Sequence, residues 1–258
     1  MADNKKQTKA KKAAATPEQL REKRIALLTP VVSVLLALIV GAIVIACLGK
    51  NPIQGYAAML QGSLGDMGKI GKTLERACPL IFTGLAAVFA YKCGVFNLGG
   101  EGQFIMGGCA PATLVLGLNL TGPMGLLLGL IAGIVVGGIW ALLPGIMKIT
   151  RGLNEMITTI MLNYIAMYFM EYIFKNVFSD QGLPKTLAMP KSTHLMDVGT
   201  AHCGVIIAIL LGVFLWYVIF RTSFGFKIRA VGLSPTASKV NGFPVRALVL
   251  LAFVISGA

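Results

Sequence analysis

Charge is what this sequence has least of. Only 13% of its 258 residues are Asp, Glu, Lys or Arg, about half the share of a soluble globular domain. A soluble chain of this length needs far more polar surface to cover its core. Histidines number two, and the five cysteines (Cys47, Cys78, Cys93, Cys109 and Cys203) form no C-x-x-C pair. A zinc site and a disulfide framework are therefore not expected. Aromatic residues are absent from the basic N-terminal tail, so its charge lacks the stacking partners of a nucleic-acid binder. One phosphate-loop lookalike, Gly71-Lys72-Thr73, lacks the glycine that such a loop requires five residues earlier, where Asp66 stands.

What is present is oil in long blocks. Hydrophobic residues make up 56% of the chain and the mean hydropathy is +0.78. The blocks are neither alternating nor heptad-like, which points to a bilayer. Spans are expected at about 30–48, 78–91, 104–120, 124–147, 156–174 and 204–220, with a seventh beginning near Pro244. The run 25–48 is longer than the core of a signal peptide, and no clear small-residue cleavage site follows; it reads as a retained first span. A full crossing takes about 20 apolar residues, and the segment from Pro244 to Ala258 stops short of that. The expected fold is thus an all-α, polytopic integral membrane protein of about seven transmembrane helices, in a chain truncated at its C-terminus.

The formal net charge of +13 is segregated. Residues 1–29 hold eight Lys/Arg, and 221–246 hold five with no acid. Cytoplasmic segments of membrane proteins carry such an excess. The N-terminus is accordingly placed inside, with 1–29 a basic cytoplasmic tail, 30–258 the membrane domain and 221–243 a cytoplasmic loop within it. Loops 49–77 and 175–203 then fall outside.

Three polar motifs interrupt the oil. In Phe96-Asn97-Leu98-Gly99-Gly100-Glu101-Gly102-Gln103, glycines at 99, 100 and 102 disfavour a regular helix and permit tight turns with positive φ. Two readings stand open: a discontinuous helix at membrane depth, where transporters place substrate sites, or an ordinary turn with Glu101 solvated. In Gly152-Leu153-Asn154-Glu155, Asn154 suits an N-cap and Glu155 the positive end of a helix dipole. Glu155, Thr159 and Asn163 share one helix face; that stripe must meet other helices or a pathway rather than lipid. In the stretch 225–242, Ser234 suits an N-cap, Pro235 the first helical position, and Asn241-Gly242 a stop. A helix over about 235–240 follows, which either docks a soluble partner or merely fixes topology. Gly125, Gly129, Gly133 and Gly137 recur every four residues, a smooth ridge for close helix packing.

Phe96–Gln103, the Asn-Glu-x-Ile-Thr-Thr-x-Met-Leu-Asn order within 152–163, and Arg229-Ala-Val-Gly-x-Ser-Pro-x-Ala together resemble the nucleoside and simple-sugar ABC importer permeases, kin of ribose and branched-chain amino-acid permeases. Ser234 stands where that family often has Asn, and Leu98 where it often has Ile; both changes are conservative. The resemblance implies a permease subunit in the plasma membrane that pairs with a second permease, with cytoplasmic ATP-binding subunits and with an extracytoplasmic solute-binding protein, often a lipoprotein. ATP would act on the partner subunits, so this chain would hold no cofactor and catalyse no covalent step. The pathway candidates are Asn97, Gly99, Gly100, Glu101, Gln103, Asn154, Glu155, Thr159 and Asn163. The resemblance makes Arg229, Gly232, Ser234, Pro235, Ala237 and Gly242 a loop that couples to the ATPase. The competing readings are a branched-chain amino-acid permease, an ion-coupled secondary transporter and a membrane scaffold without transport.

Overall fold

The computed structural model describes residues 17–178, 188–193, 197–198 and 201–258. The chain divides into two compact units, which part between Asp66 and Met67.

In the first unit, α1 (Pro17–Cys47) contains an apolar run, Leu28–Cys47, of 20 residues. At 1.5 Å per residue that is about 30 Å, the thickness of a hydrocarbon core. Its large side chains, among them Val31, Leu35, Ile39 and Ile43, are exposed; lipid satisfies them where water would not. The last part of the expected polar tail is already the start of α1. After Asn51, whose side chain accepts from the Ile53 amide at 2.9 Å, α2 (Pro52–Leu64) packs on α1. The Tyr56 hydroxyl donates to the Leu38 carbonyl at 2.6 Å.

The second unit holds α3 (Met67–Lys92), α4 (Gly100–Gly117), α5 (Gly122–Arg151), α6 (Glu155–Asn176), α7 (Gly204–Arg221), α8 (Ser223–Leu233), α9 (Pro235–Val240) and α10 (Val245–Gly257). Among the described residues, five helices are long and apolar enough to cross a membrane: α1, α3, α5, α6 and α7. The other two expected spans form α4 and α10, helices of 18 and 13 residues. Between α6 and α7 lie a 3-10 turn (Lys191–Thr193) and the only departure from helix among the described elements: a two-residue antiparallel ladder of β1 (Asp197–Val198) with β2 (Ala201–His202). The Ser192 hydroxyl accepts from the Gly122 amide at 3.0 Å, tying this connection to the α4–α5 turn.

Two expectations change. The polar connection at 49–77 is largely helical, because α3 begins at Met67 rather than near Cys78. Its first turns carry Lys69, Lys72, Glu75 and Arg76, which lower hydropathy without opposing a helix. The loop at 221–243 is two helices, α8 and α9.

The glycine ridge packs as read. A Cβ on Gly133 would stand 2.9 Å from the Gly107 carbonyl of α4, and one on Gly137 would strike the Gly257 carbonyl of α10. Without solvent to squeeze helices together, close backbone approach supplies the van der Waals contact that holds them. Elsewhere, Phe89, Ile219, Ile228, Val231 and Phe253 form a buried cluster where α3, α7, α8 and α10 meet.

Candidate functional site

The interruption after α3 is a broken span. The chain leaves α3 at Lys92, turns at Gly94 (φ +77°) and runs without regular structure to Gly99 before α4 starts. Its depth follows from its neighbours. Asn163, about 12 Å along α6 from Glu155, accepts from the Gly102 amide at 2.9 Å and donates to the Leu98 carbonyl at 3.0 Å. Ser256, about 16 Å along α10 from Val245, accepts from Asn97 at 2.8 Å. The Gln103 carbonyl faces Gly137, near the middle of α5. Residues 97–103 therefore lie alongside the interior of α5 and α6 and the end of α10, and α4 starts from there.

A buried amide cluster holds the break. Asn97 and Gln103 are nearly inaccessible and their amides exchange hydrogen bonds of 3.0 and 3.1 Å. Asn97 Oδ1 also accepts from the Gly99 amide at 3.0 Å. The Ser256 hydroxyl passes the chain on to the Ala86 carbonyl of α3 at 2.9 Å. Every named group has a partner, which a buried polar cluster needs. The glycines serve this packing rather than positive φ: none of Gly99, Gly100 and Gly102 has a left-handed backbone. A Cβ on Gly99 would stand 2.9 Å from the Gln103 amide nitrogen, and one on Gly102 would stand 2.7 Å from Asn163 Oδ1. On Gly100 it would only touch Thr83.

The polar stripe of α6 meets protein. Asn154 caps α6 by accepting from the Met156 amide at 2.9 Å. Glu155 pairs with Lys148 of α5 at 2.5 Å. Thr159 is buried and its hydroxyl donates to the Glu155 carbonyl at 2.6 Å. Glu101 differs from all of these. It is exposed in the first turn of α4 and has no ion-pair partner among the described residues. Of the polar residues of this motif, it is the one whose side chain the described residues leave exposed and unpaired.

The hairpin of α8 and α9 is built by local caps. The Thr222 hydroxyl accepts from the Gly225 amide at 3.1 Å and the Ser234 hydroxyl from the Ala237 amide at 3.3 Å. Pro235 opens α9, and Gly242 (φ +78°) lies just past its end. Leu233, the last residue of α8, and Val240, the last of α9, are 88% and 85% exposed, and Ala237 is exposed between them. A groove of about 630 Å³ runs between the two helices, with Phe226, Arg229, Ala237 and Asn241 in its wall. Of the coupling residues expected from sequence, Arg229, Ser234 and Ala237 line this groove. Gly232 instead faces inward: a Cβ there would strike the Lys92 carbonyl and stand 3.0 Å from the Gly94 amide nitrogen. The hairpin thus touches the start of the broken span through bare backbone. Sequence reasoning missed Gly94 and Ser256, whose roles depend on partners far away in the chain.

Cys93 lies at the same junction, with its thiol 3.8 Å from the Leu248 carbonyl. Burial pushes the thiol up to about 11, partly opposed by the Lys148 ammonium. Thiolate is the reactive species, so at pH 7.5 Cys93 should resist maleimide in the folded protein and react once SDS unfolds it. Equal labelling in both states would mean that the junction is open.

The pattern of the family described as "Branched-chain amino acid transport system / permease component" matches residues 70–258. The guanosine ABC transporter permease protein NupP of Bacillus subtilis is 36% identical over 242 residues, covering 90% of this chain and 69% of that protein. The nucleoside ABC transporter permease protein NupB of Lactococcus lactis is 33% identical over 245 residues, covering 90% and 67%. The glucose ABC transporter permease protein TsgB13 of Haloferax volcanii is 29% identical over 245 residues, covering 89% and 64%. The chain thus spans about two thirds of the length of these relatives. No solved structure matches it.

Proposed function

Because this chain belongs to the permease-component family of branched-chain amino acid transport systems, we propose that it is the membrane-spanning subunit of an ABC importer that passes nucleosides or related sugars. The carrying observation is that two relatives named for guanosine and nucleosides align with nine-tenths of it at 36% and 33% identity. Uptake of labelled guanosine by cells carrying the full-length transporter tests the solute. Excess unlabelled nucleoside should abolish the signal and excess leucine should not. Absence of saturable guanosine uptake, with uptake of labelled leucine in its place, assigns a branched-chain amino-acid permease.

The partners of such a subunit are a second permease, cytoplasmic ATP-binding subunits and an extracytoplasmic solute-binding protein, with the N-terminus and the α8–α9 hairpin inside the plasma membrane. ATP acts on the partner, and this chain makes and breaks no covalent bond. Closure of the ATPases pushes on the hairpin. The backbone contact of Gly232 with Lys92–Gly94 carries the push into the broken span, whose residues 94–99 have no helix of their own to resist it. Solute then passes the exposed face that holds Glu101. An ion-coupled carrier needs free acids within its spans, whereas both acids of α6 are paired, Glu155 with Lys148 and Glu171 with Lys175, which favours the ATP-driven reading.

Ala237→Arg tests the docking surface. Ala237 is exposed and lines the groove together with Arg229, so the substitution adds bulk and charge to the groove. Co-purification of the ATP-binding subunit should fall about tenfold, the effect of roughly 1.4 kcal/mol, and uptake should fall with it. Undiminished ATPase binding and uptake would remove the hairpin from the interface.

A further inference from the structure

We propose that Lys92, Arg221 and Arg229 form a binding site for the phosphate of an anionic phospholipid at the membrane boundary. The centre of the site is Phe220, at the end of α7. The Lys92 ammonium lies 5.7 Å from its ring centroid and the Arg229 guanidinium 5.4 Å from the same ring. One residue on, the Arg221 guanidinium lies 5.8 Å from the Trp216 ring, and that ring is itself 6.4 Å from Phe220. Three cations are thus gathered on two adjoining aromatic rings.

No carboxylate balances them among the described residues. The segment 221–246 has no acid, and Glu155, at this end of the helices, is held by Lys148. Like charges gathered around the same pair of rings repel one another, most strongly beside the low dielectric of a bilayer. Aromatic faces offset only part of that repulsion. Arg229 adds a second observation: its Nε is buried and has no hydrogen-bond partner among the described residues. An Arg fork is shaped for bidentate phosphate recognition.

Position selects the source of the phosphate. Trp216, Tyr217 and Phe220 are all exposed, and they close an apolar span whose remaining outward residues, such as Leu210, Val213 and Phe214, are equally bare. Aromatic residues of this kind mark the level of lipid headgroups, and basic pockets between helices at that level take anionic headgroups. An acyl chain lying along α7 would bring its phosphate to Arg221 and Lys92. The site requires only that the chain spans a bilayer, so its failure would leave the nucleoside assignment untouched.

The test uses the full-length transporter in nanodiscs of phosphatidylcholine with one fifth phosphatidylglycerol, with retained lipid counted by native mass spectrometry. The wild type should keep phosphatidylglycerol in preference to phosphatidylcholine. Lys92→Gln and Arg221→Gln should each lower that retention about fivefold, while the charge-keeping Lys92→Arg and Arg221→Lys restore it. These side chains are partly or fully exposed, and an unchanged melting temperature confirms that the variants fold. Equal retention of both lipids, or retention unaffected by the Gln variants, overturns the proposal. So does full displacement of phosphatidylglycerol by millimolar inorganic phosphate, which would make the ligand a free anion. Loss of ATPase-subunit binding by the Gln variants in pure phosphatidylcholine, with lipid retention unchanged, would assign the cations to a partner's carboxylate and likewise overturn it.

Discussion

Asn97→Leu is expected to lower the melting temperature of the purified transporter by roughly 6–12 °C. The substitution deletes one side chain but strands several others. The Gln103 amide loses both its donor and its acceptor partner, and the Gly99 amide loses its acceptor. Each buried polar group left unsatisfied costs about 1–3 kcal/mol, so the total is on the order of 3 kcal/mol. Each kcal/mol moves the midpoint of a chain of this size by about 2–4 °C. Water cannot easily repair the loss, because Asn97, Gln103 and Ser256 are all buried. Glu101→Gln is the comparison. It touches none of these bonds and should melt within about 1 °C of wild type, the range of a neutral surface change, while uptake falls if the exposed carboxylate meets solute. Wild-type melting of Asn97→Leu would show that the amide cluster does not hold the break.

Gly232→Ala should abolish uptake while leaving the ATP-binding subunit attached. One added methyl would strike the Lys92 carbonyl and crowd the Gly94 amide nitrogen. Both are backbone atoms, so no rotamer change relieves the clash, and α8 must move off the turn. Overpacking of this kind costs about 1–3 kcal/mol, enough to shift the hairpin without unfolding it. The caps of α8 and α9 are local to the hairpin, so the two helices and the groove between them shift together and survive. ATPase binding and transport are therefore expected to separate in this variant, whereas in Ala237→Arg they fall together. Gly62→Ala, whose methyl meets open space on α2, controls for the chemistry of the change and should transport normally. Retained uptake in Gly232→Ala would mean that motion reaches the pathway by another contact.

The short helix at 235–240 was legible to the residue, because its signals act within one turn: the Ser234 hydroxyl reaches the Ala237 amide, and Pro235 fits the first position. Asn154 at the head of α6 is the same case. The start of α3 was not legible from hydropathy. Lys69, Lys72, Glu75 and Arg76 make its first turns polar, yet a helix forms wherever backbone hydrogen bonds can continue, whether or not the side chains are oily. The break itself runs from Cys93 to Gly99, and Gly100 and Gly102 already belong to α4. The motif's glycines do not supply positive φ; Gly99 and Gly102 supply room for the Asn97–Gln103 pair and for Asn163. The ring shared by Lys92 and Arg229 left no trace in the sequence at all, since nothing in either neighbourhood refers to the other.

The sequence by itself determined that the chain lives in a bilayer, where most of its helices lie and how several of them end. Hydropathy and capping depend on a window of some twenty residues or on a single turn, and both are complete in the one-dimensional string. Only the tertiary structure decided which polar groups satisfy each other and which stay free. Asn97 meets Ser256 and Gly94 meets Gly232 because backbones cross there, across separations in the chain far longer than any local signal. That crossing is what closes the amide cluster around the break and leaves Glu101 outside it.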